Sequence, residues 1–156
     1  MKIRKIPNRA IDFLWREEGF VDHIYKDTAG HDTIGVGHLV KAGEDWSHGI
    51  TEDEARELLR KDMRIAAVSV GKLITVPLTE NQYIALLSFT FNLGGGALQR
   101  STLRSRLNRG EYASASEEFP KWCWAGGKKD KGVYFRRIRE MNLFLTNGDQ
   151  DTEDSE

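Results

Sequence analysis

The chain changes its periodicity at Gly19, and that change constrains the fold more than any other feature. Before it, Ile11, Leu14, Trp15 and Glu18 fall at i, i+3, i+4 and i+7, one face of an amphipathic helix. Gly19 follows as a natural residue just past a helix end, because it tolerates a left-handed backbone. After it, Ile24-Tyr25 and Thr33-Ile34-Gly35-Val36 read as short strands, with Asp27, Ala29, Gly30 and Asp32 as turn material. A helix end followed by a hairpin that folds back can bring Glu18, Asp27 and Thr33 to one cleft. Glu18 extends the apolar stripe, and its neighbour Glu17 should point to water. A carboxyl at the edge of apolar packing has its charged form disfavoured, which suits a general acid. The bland alternative for Glu18 is a helix-end glutamate paired to an arginine. Two carboxylates in different environments are the usual equipment for hydrolysing a glycosidic bond.

Glu18, Asp27 and Thr33, spaced nine and six residues apart, resemble the Glu-Asp-Thr triad of the phage-type lysozymes, the endolysins. The flanking Tyr25-Lys26-Asp27-Thr28 and Thr33-Ile34-Gly35-Val36-Gly37-His38 look like that family's hairpin. Ser88-Phe89, Asn92, Gly94, Ser101-Thr102, Trp122 and the segment 132–145 with Arg136, Arg137 and Glu140 continue the likeness, which covers roughly residues 8 to 146. The resemblance implies an α+β, mostly helical, lysozyme-like fold with a small β-hairpin lobe and a larger helical lobe. It implies catalytic roles for Glu18 as acid and for Asp27 and Thr33 as the holders of the attacking water. It also implies that Gly37 and Leu39 line a sugar cleft and that Phe91 and Thr102 touch saccharide.

The activity so implied is that of a muramidase. It would cleave the β-1,4 bond between N-acetylmuramic acid and N-acetylglucosamine in bacterial peptidoglycan, in the service of host cell lysis. A lytic transglycosylase would act on the same bond without water, and Asp27 and Thr33 argue against it. A non-enzymatic wall-binding domain needs no such register, and wall-binding modules are usually short repeats, which this sequence lacks.

Length and composition agree with one domain. At 156 residues, with 39% hydrophobic and 30% charged residues, the chain is large enough to bury a core. The expected division is a single domain over 1–148, with a hairpin lobe at about 18–50 and a helical lobe at about 72–148 plus the N-terminal helix. An acidic tail follows at 149–156. Cys123 is the only cysteine, so no internal disulfide forms and Cys-His metal spacing is absent. No metal or other cofactor is expected, and Cys123 reads as a small packing residue. No apolar run approaches the ~18 residues of a membrane span. The basic N-terminus, Met1 to Pro7, lacks the apolar centre of a signal peptide. The expectation is synthesis in the host cytoplasm, with a holin needed to reach the periplasm and wall at lysis. A monomer is expected, without nucleic-acid binding or stable membrane association. Net charge is −1, but the tail holds five acids and no base; without it, 23 basic and 19 acidic residues leave +4. A mildly basic body suits a polyanionic partner, and the tail reads as disordered and solvating.

Further elements follow from local signals. Asn8 is a candidate N-cap for the first helix. Thr51-x-x-Glu54 and Thr79-x-x-Gln82 are capping boxes. The first opens a long helix with Ala55, Leu58, Leu59, Ile65 and Ala66 on one stripe, ending near Gly71. The second opens a helix from Tyr83 to Phe91 that is apolar nearly all round, hence a core helix, ended by Asn92 to Gly96. Ser101 caps a helix through Leu107, and Glu111 to Phe119 forms another. Pro120 to Gly132 reads as a loop, and Val133 to Leu145 as the last helix. His38 reads as structurally paired to an acid and Trp122 as core. Trp124 is open between core and sugar stacking. Arg136, Arg137 and Arg139 are candidates for pairing with acids or meeting anionic wall polymer.

Overall fold

A computed structural model of the chain describes residues 2–147; the acidic tail read at 149–156 lies outside the described residues. The order is α1 (Asn8–Glu18), β1 (Val21–Lys26), β2 (Asp32–Gly35), β3 (His38–Leu39), α2 (Glu52–Leu73), α3 (Glu80–Leu93), α4 (Gly95–Arg100), α5 (Thr102–Asn108), α6 (Tyr112–Ser116), a 3-10 turn (Phe119–Lys121), β4 (Trp124–Ala125), β5 (Lys128–Lys129) and α7 (Lys131–Leu145). The α+β, mostly helical class holds.

Local hydrogen bonds explain most helix starts. Thr51 accepts from the Glu54 amide at 3.1 Å while the Glu54 carboxylate accepts from the Thr51 amide at 3.0 Å. Thr79 and Gln82 repeat the exchange at 3.1 and 2.9 Å. Both capping boxes are therefore formed. Asp130 caps α7 by accepting from the Val133 amide at 2.9 Å, which starts that helix two residues before Val133. At α1 the expectation fails. Pro7 is the N-cap, in extended conformation, and Asn8 is already helical. The Asn8 side chain instead accepts from Arg60 Nη2 at 2.5 Å.

Two glycine runs depart from their reading. Gly94, with φ 92°, ends α3, but Gly95 opens α4 at once. A Cβ on Gly95 would stand 2.5 Å from Ser69 Oγ on α2. The glycine is there for close helix approach rather than for a break. Gly126 and Gly127, at φ 58° and 79°, form the two-residue turn of a β4–β5 hairpin where a loop was expected. Positive φ at both central residues matches the right-handed twist of the flanking strands.

The three-stranded antiparallel sheet runs β1-β2-β3. Its buried residue Ile34 packs with Ile50 and Ala55 beneath the sheet. The main core gathers around α3, where Tyr83 through Thr90 are all buried, packed between α2 and α7. Trp122 joins it edge-on to Phe89, centroids 5.5 Å apart, and Cys123 is buried. Trp124 stays exposed on β4. Ile65 leaves its expected stripe and is 74% exposed. Among the described residues no helix is long and apolar enough to cross a membrane.

Candidate active site

Glu18 is the last residue of α1, held there by the turn at Gly19, whose amide donates to Trp15 O at 3.0 Å. Its Oε2 accepts from Arg136 Nη1 of α7 at 2.5 Å. The arginine reading of Glu18 is thus realised, with a long-range partner. Arg136 is fixed in turn: Nη2 donates to Ser88 O at 3.2 Å and Nε to Glu140 Oε2 at 3.3 Å. Glu140 is fully buried. It accepts from Ser88 Oγ at 2.6 Å and from Arg137 Nη2 at 3.1 Å, and Arg137 also reaches Asn92 Oδ1 at 2.8 Å. Burial is the largest influence on both members of the inner pair. It pushes the Glu140 carboxyl up and the Arg137 guanidinium down, against the attraction between them.

The other oxygen of Glu18 faces the β2–β3 turn. A Cβ on Gly37, at φ 71°, would lie 3.4 Å from Glu18 Oε1. A side chain there would be strained and would crowd the carboxyl.

Asp27 sits in the β1–β2 turn. Its Oδ1 accepts from the Ala29 amide at 2.9 Å and the His31 amide at 2.8 Å. These donors, the His31 amide foremost, hold the carboxyl below its ordinary value. Thr33 is buried on β2, and its hydroxyl donates to His31 O at 3.0 Å. Across the strands Thr33 pairs with Tyr25. The Tyr25 phenol is pushed up by burial first and then by the charges of Glu18 and Asp27. Tyr25 therefore feels both carboxylates at once. Tyr25 carries no role in the sequence-based expectation, because its register with Thr33 is set only when β1 and β2 pair.

Gly37, Leu39 and Phe91 line one cleft of about 270 Å³, joined by Asp62, Ile65 and Gly94. Leu39 and Ile65 leave apolar surface open there. Thr102 is exposed at the first turn of α5 and does not line this cleft. His38 is buried between two acids, with Asp62 Oδ2 at 2.7 Å from Nδ1 and Glu44 Oε1 at 3.0 Å from Nε2. The Lys41 amide, then His38, hold the Glu44 carboxyl low.

Glu17 corrects its expectation. Its side chain is only 5% exposed and forms a two-pronged pair with Arg139 at 2.6 and 2.8 Å. Arginines of the last helix reach the end of α1, so a position off the apolar stripe is covered by a partner 122 residues away. Arg136, Arg137 and Arg139 are all paired to acids.

The Phage lysozyme family model matches residues 16–140, a span that opens just before Glu18 and closes on Glu140. This chain belongs to the phage lysozyme family. The endolysin of Salmonella phage P22 is 40% identical over 146 residues, which is 91% of this chain and 99% of that relative. The endolysin of Bacillus phage B103 is 40% identical over 145 residues, covering 90% of this chain but 54% of that protein. The chain thus spans about half the length of the Bacillus phage relative. Among solved structures, the muramidase domain of SpmX from Asticaccaulis excentricus superposes with a TM-score of 0.82 at 31% identity, covering 92% of this chain and 99% of that one. Within this phage lysozyme frame, no three His, Cys, Asp or Glu side chains among the described residues gather as metal ligands.

Proposed function

We propose that this chain is an endolysin muramidase. It hydrolyses the β-1,4 bond between N-acetylmuramic acid and N-acetylglucosamine in bacterial peptidoglycan, for host cell lysis. The observation that carries the reading is Glu18 at the end of α1, held by Arg136 on one oxygen and open to the Gly37 turn on the other, within a chain of the phage lysozyme family. In this reading the glycan lies between a hairpin lobe at about 18–50 and a helical lobe at about 72–148 with the N-terminal helix. Gly37, Leu39 and Phe91 contact saccharide along the cleft, and Thr102, outside that cleft, is a further saccharide contact.

The hydrogen bonds suggest a division of labour. Glu18 Oε2 is engaged by Arg136, so the catalytic proton rides on Oε1, the oxygen on the Gly37 side. From there it passes to the glycosidic oxygen as that bond breaks. Asp27 Oδ1 already holds two amides, so Oδ2, with His31 Nδ1 3.5 Å away, takes the proton of the attacking water. The Thr33 hydroxyl hydrogen is committed to His31 O, so its lone pairs accept from that water and orient it. Hydrolysis then leaves a hydroxyl on the muramic acid carbon, Glu18 charged and Asp27 protonated, and proton exchange with solvent resets both carboxyls.

The end group tests this. Digested peptidoglycan analysed by mass spectrometry should carry one added water per cut, at a free reducing muramic acid end. Predominantly 1,6-anhydro ends would assign a lytic transglycosylase instead. Binding to wall without any cut would make the chain a wall-binding domain. The reading further holds that the enzyme acts as a monomer and accumulates in the host cytoplasm until a holin opens the membrane. Expression should then lyse cells only after a permeabilising agent is added, and purified protein should clear permeabilised Gram-negative cells.

A further inference from the structure

The net positive charge of the body has a location that the glycan cleft does not use. A cavity of about 500 Å³ opens between the N-terminal segment and α2, lined by Arg4, Lys5, Glu57, Arg60, Lys61 and Arg64 among others. Five cations against one acid leave it at +4. On α2 the four charged residues fall at i, i+3, i+4 and i+7, so they share one face of the helix. The glycan cleft uses Asp62, Ile65, Ala66 and Ser69 of the same helix. At 3.6 residues per turn, Arg64 lies roughly 200° round from Asp62. Taken together, the two sets of α2 residues average roughly 140° apart, so the cavities open on different sides of the helix.

The walls are built by charge as well as lined by it. Arg60 Nη1 donates to Ile6 O at 2.6 Å and Nη2 to Asn8 Oδ1 at 2.5 Å, which ties α2 to the N-terminal segment. Arg4 Nη1 reaches Leu78 O at 2.8 Å. Lys5, Lys61 and Arg64 line the space and make no hydrogen bond or ion pair with any described residue. Like charges gathered in a concavity focus their field and repel one another until an anion neutralises them. Three ammonium and guanidinium groups around one hollow match a compact group with several charged oxygens, and phosphate oxygens supply that at neutral pH.

We infer that this cavity, on a different side of α2 from the glycan cleft, is a binding site for a phosphate-bearing anion. Its separate place on α2 lets the anion and the glycan bind together. The inference does not depend on the proposed muramidase activity, because it is read by binding alone.

The test uses the full chain and sodium tripolyphosphate as probe, by isothermal titration calorimetry at low salt. Wild type should bind one equivalent. Lys5→Gln/Lys61→Gln/Arg64→Gln should weaken binding by about tenfold or more with an unchanged melting temperature; Lys61→Gln and Arg64→Gln alone should each weaken it in part. Lys128→Gln/Lys129→Gln/Lys131→Gln removes the same net charge at the β4–β5 hairpin and the start of α7, none of which lines the cavity, and should keep affinity within about twofold. Binding should fall sharply near ~0.15 M salt, where the screening length is about 8 Å. Co-sedimentation with phosphatidylglycerol vesicles, against phosphatidylcholine, separates the sources. Vesicle capture lost in the cavity variant marks a lipid headgroup; tripolyphosphate binding without capture marks a free anion. No binding by wild type, or equal loss in both triple variants, would overturn the site.

Discussion

Glu18 and Asp27 rest on two kinds of support. Glu18 is held by Arg136, 118 residues away, and that arginine stands on Ser88 and on the buried Glu140, which Arg137 also pairs. Asp27 is held by the amides of its own turn, at Ala29 and His31. The support of Glu18 is a product of helix packing around α3 and α7. That of Asp27 is a product of one tight turn. A group held through the core inherits the core's rigidity and its vulnerability to distant substitutions. A group held by its own loop depends on little beyond that loop.

Substitutions at the two ends should therefore behave differently. The largest effect is expected from Glu18→Gln, which cannot deliver a proton and should lower lytic rate by ~10² to 10⁴-fold. Arg136 keeps Glu140 and Ser88, so melting should remain native; near-wild-type turbidity clearing by a folded variant would remove Glu18 as the acid. Asp27→Ala should follow, with a loss on the order of 10²-fold in rate and a hairpin that still forms. A collapse of the melting profile there would contradict the local character of its support.

Glu140→Gln probes the other end. It leaves Arg136 and Arg137 with a neutral partner in a dry site, and urea unfolding should show a loss of about 3–5 kcal/mol. An unchanged midpoint would mean that Glu18 does not rest on the buried pair.

Acid titration sharpens the contrast in a gentler way. The carboxyls of Asp27 and Glu44 lie below their ordinary values in the folded chain. The stability they lend is present above the unfolded values of about 4 and is lost as pH falls through the folded ones. Melting followed by circular dichroism should hold steady from pH about 7 to 5 and decline below about 4, less steeply in Asp27→Asn/Glu44→Gln. The smallest effect is expected from Glu17→Gln. Its partner Arg139 is half exposed, so the cost in urea should be about 0.5–1 kcal/mol with lytic rate unchanged.

The legible parts of the molecule are those closed by short-range hydrogen bonds. Thr51 with Glu54, Thr79 with Gln82 and Ser101 with Arg104 each bond across three residues, so helix starts could be read from spacing. The turn at Asp27 bonds within four residues; His38, at a strand end behind two glycines, is paired with acids as read, though one of them, Asp62, lies 24 residues away. The apolar run Ile84 to Phe89 marks its own burial, because a helix without a polar face has nowhere else to go.

Tertiary structure decided what depends on which element arrives from far along the chain. Glu17 looked solvent-facing because helical periodicity counts only its own helix; α7 lies over it and buries its carboxylate against Arg139. Gly95 looked like a break because its Cβ-free surface is needed only once α2 brings Ser69 against it. Ile65 looked like core because its side chain is apolar, yet it lies open in the cleft. The partner of Glu18 could be named as an arginine from chemistry alone. Which arginine, and on which oxygen, followed only when α7 packed on α3 and set Arg136 between Ser88 and the end of α1.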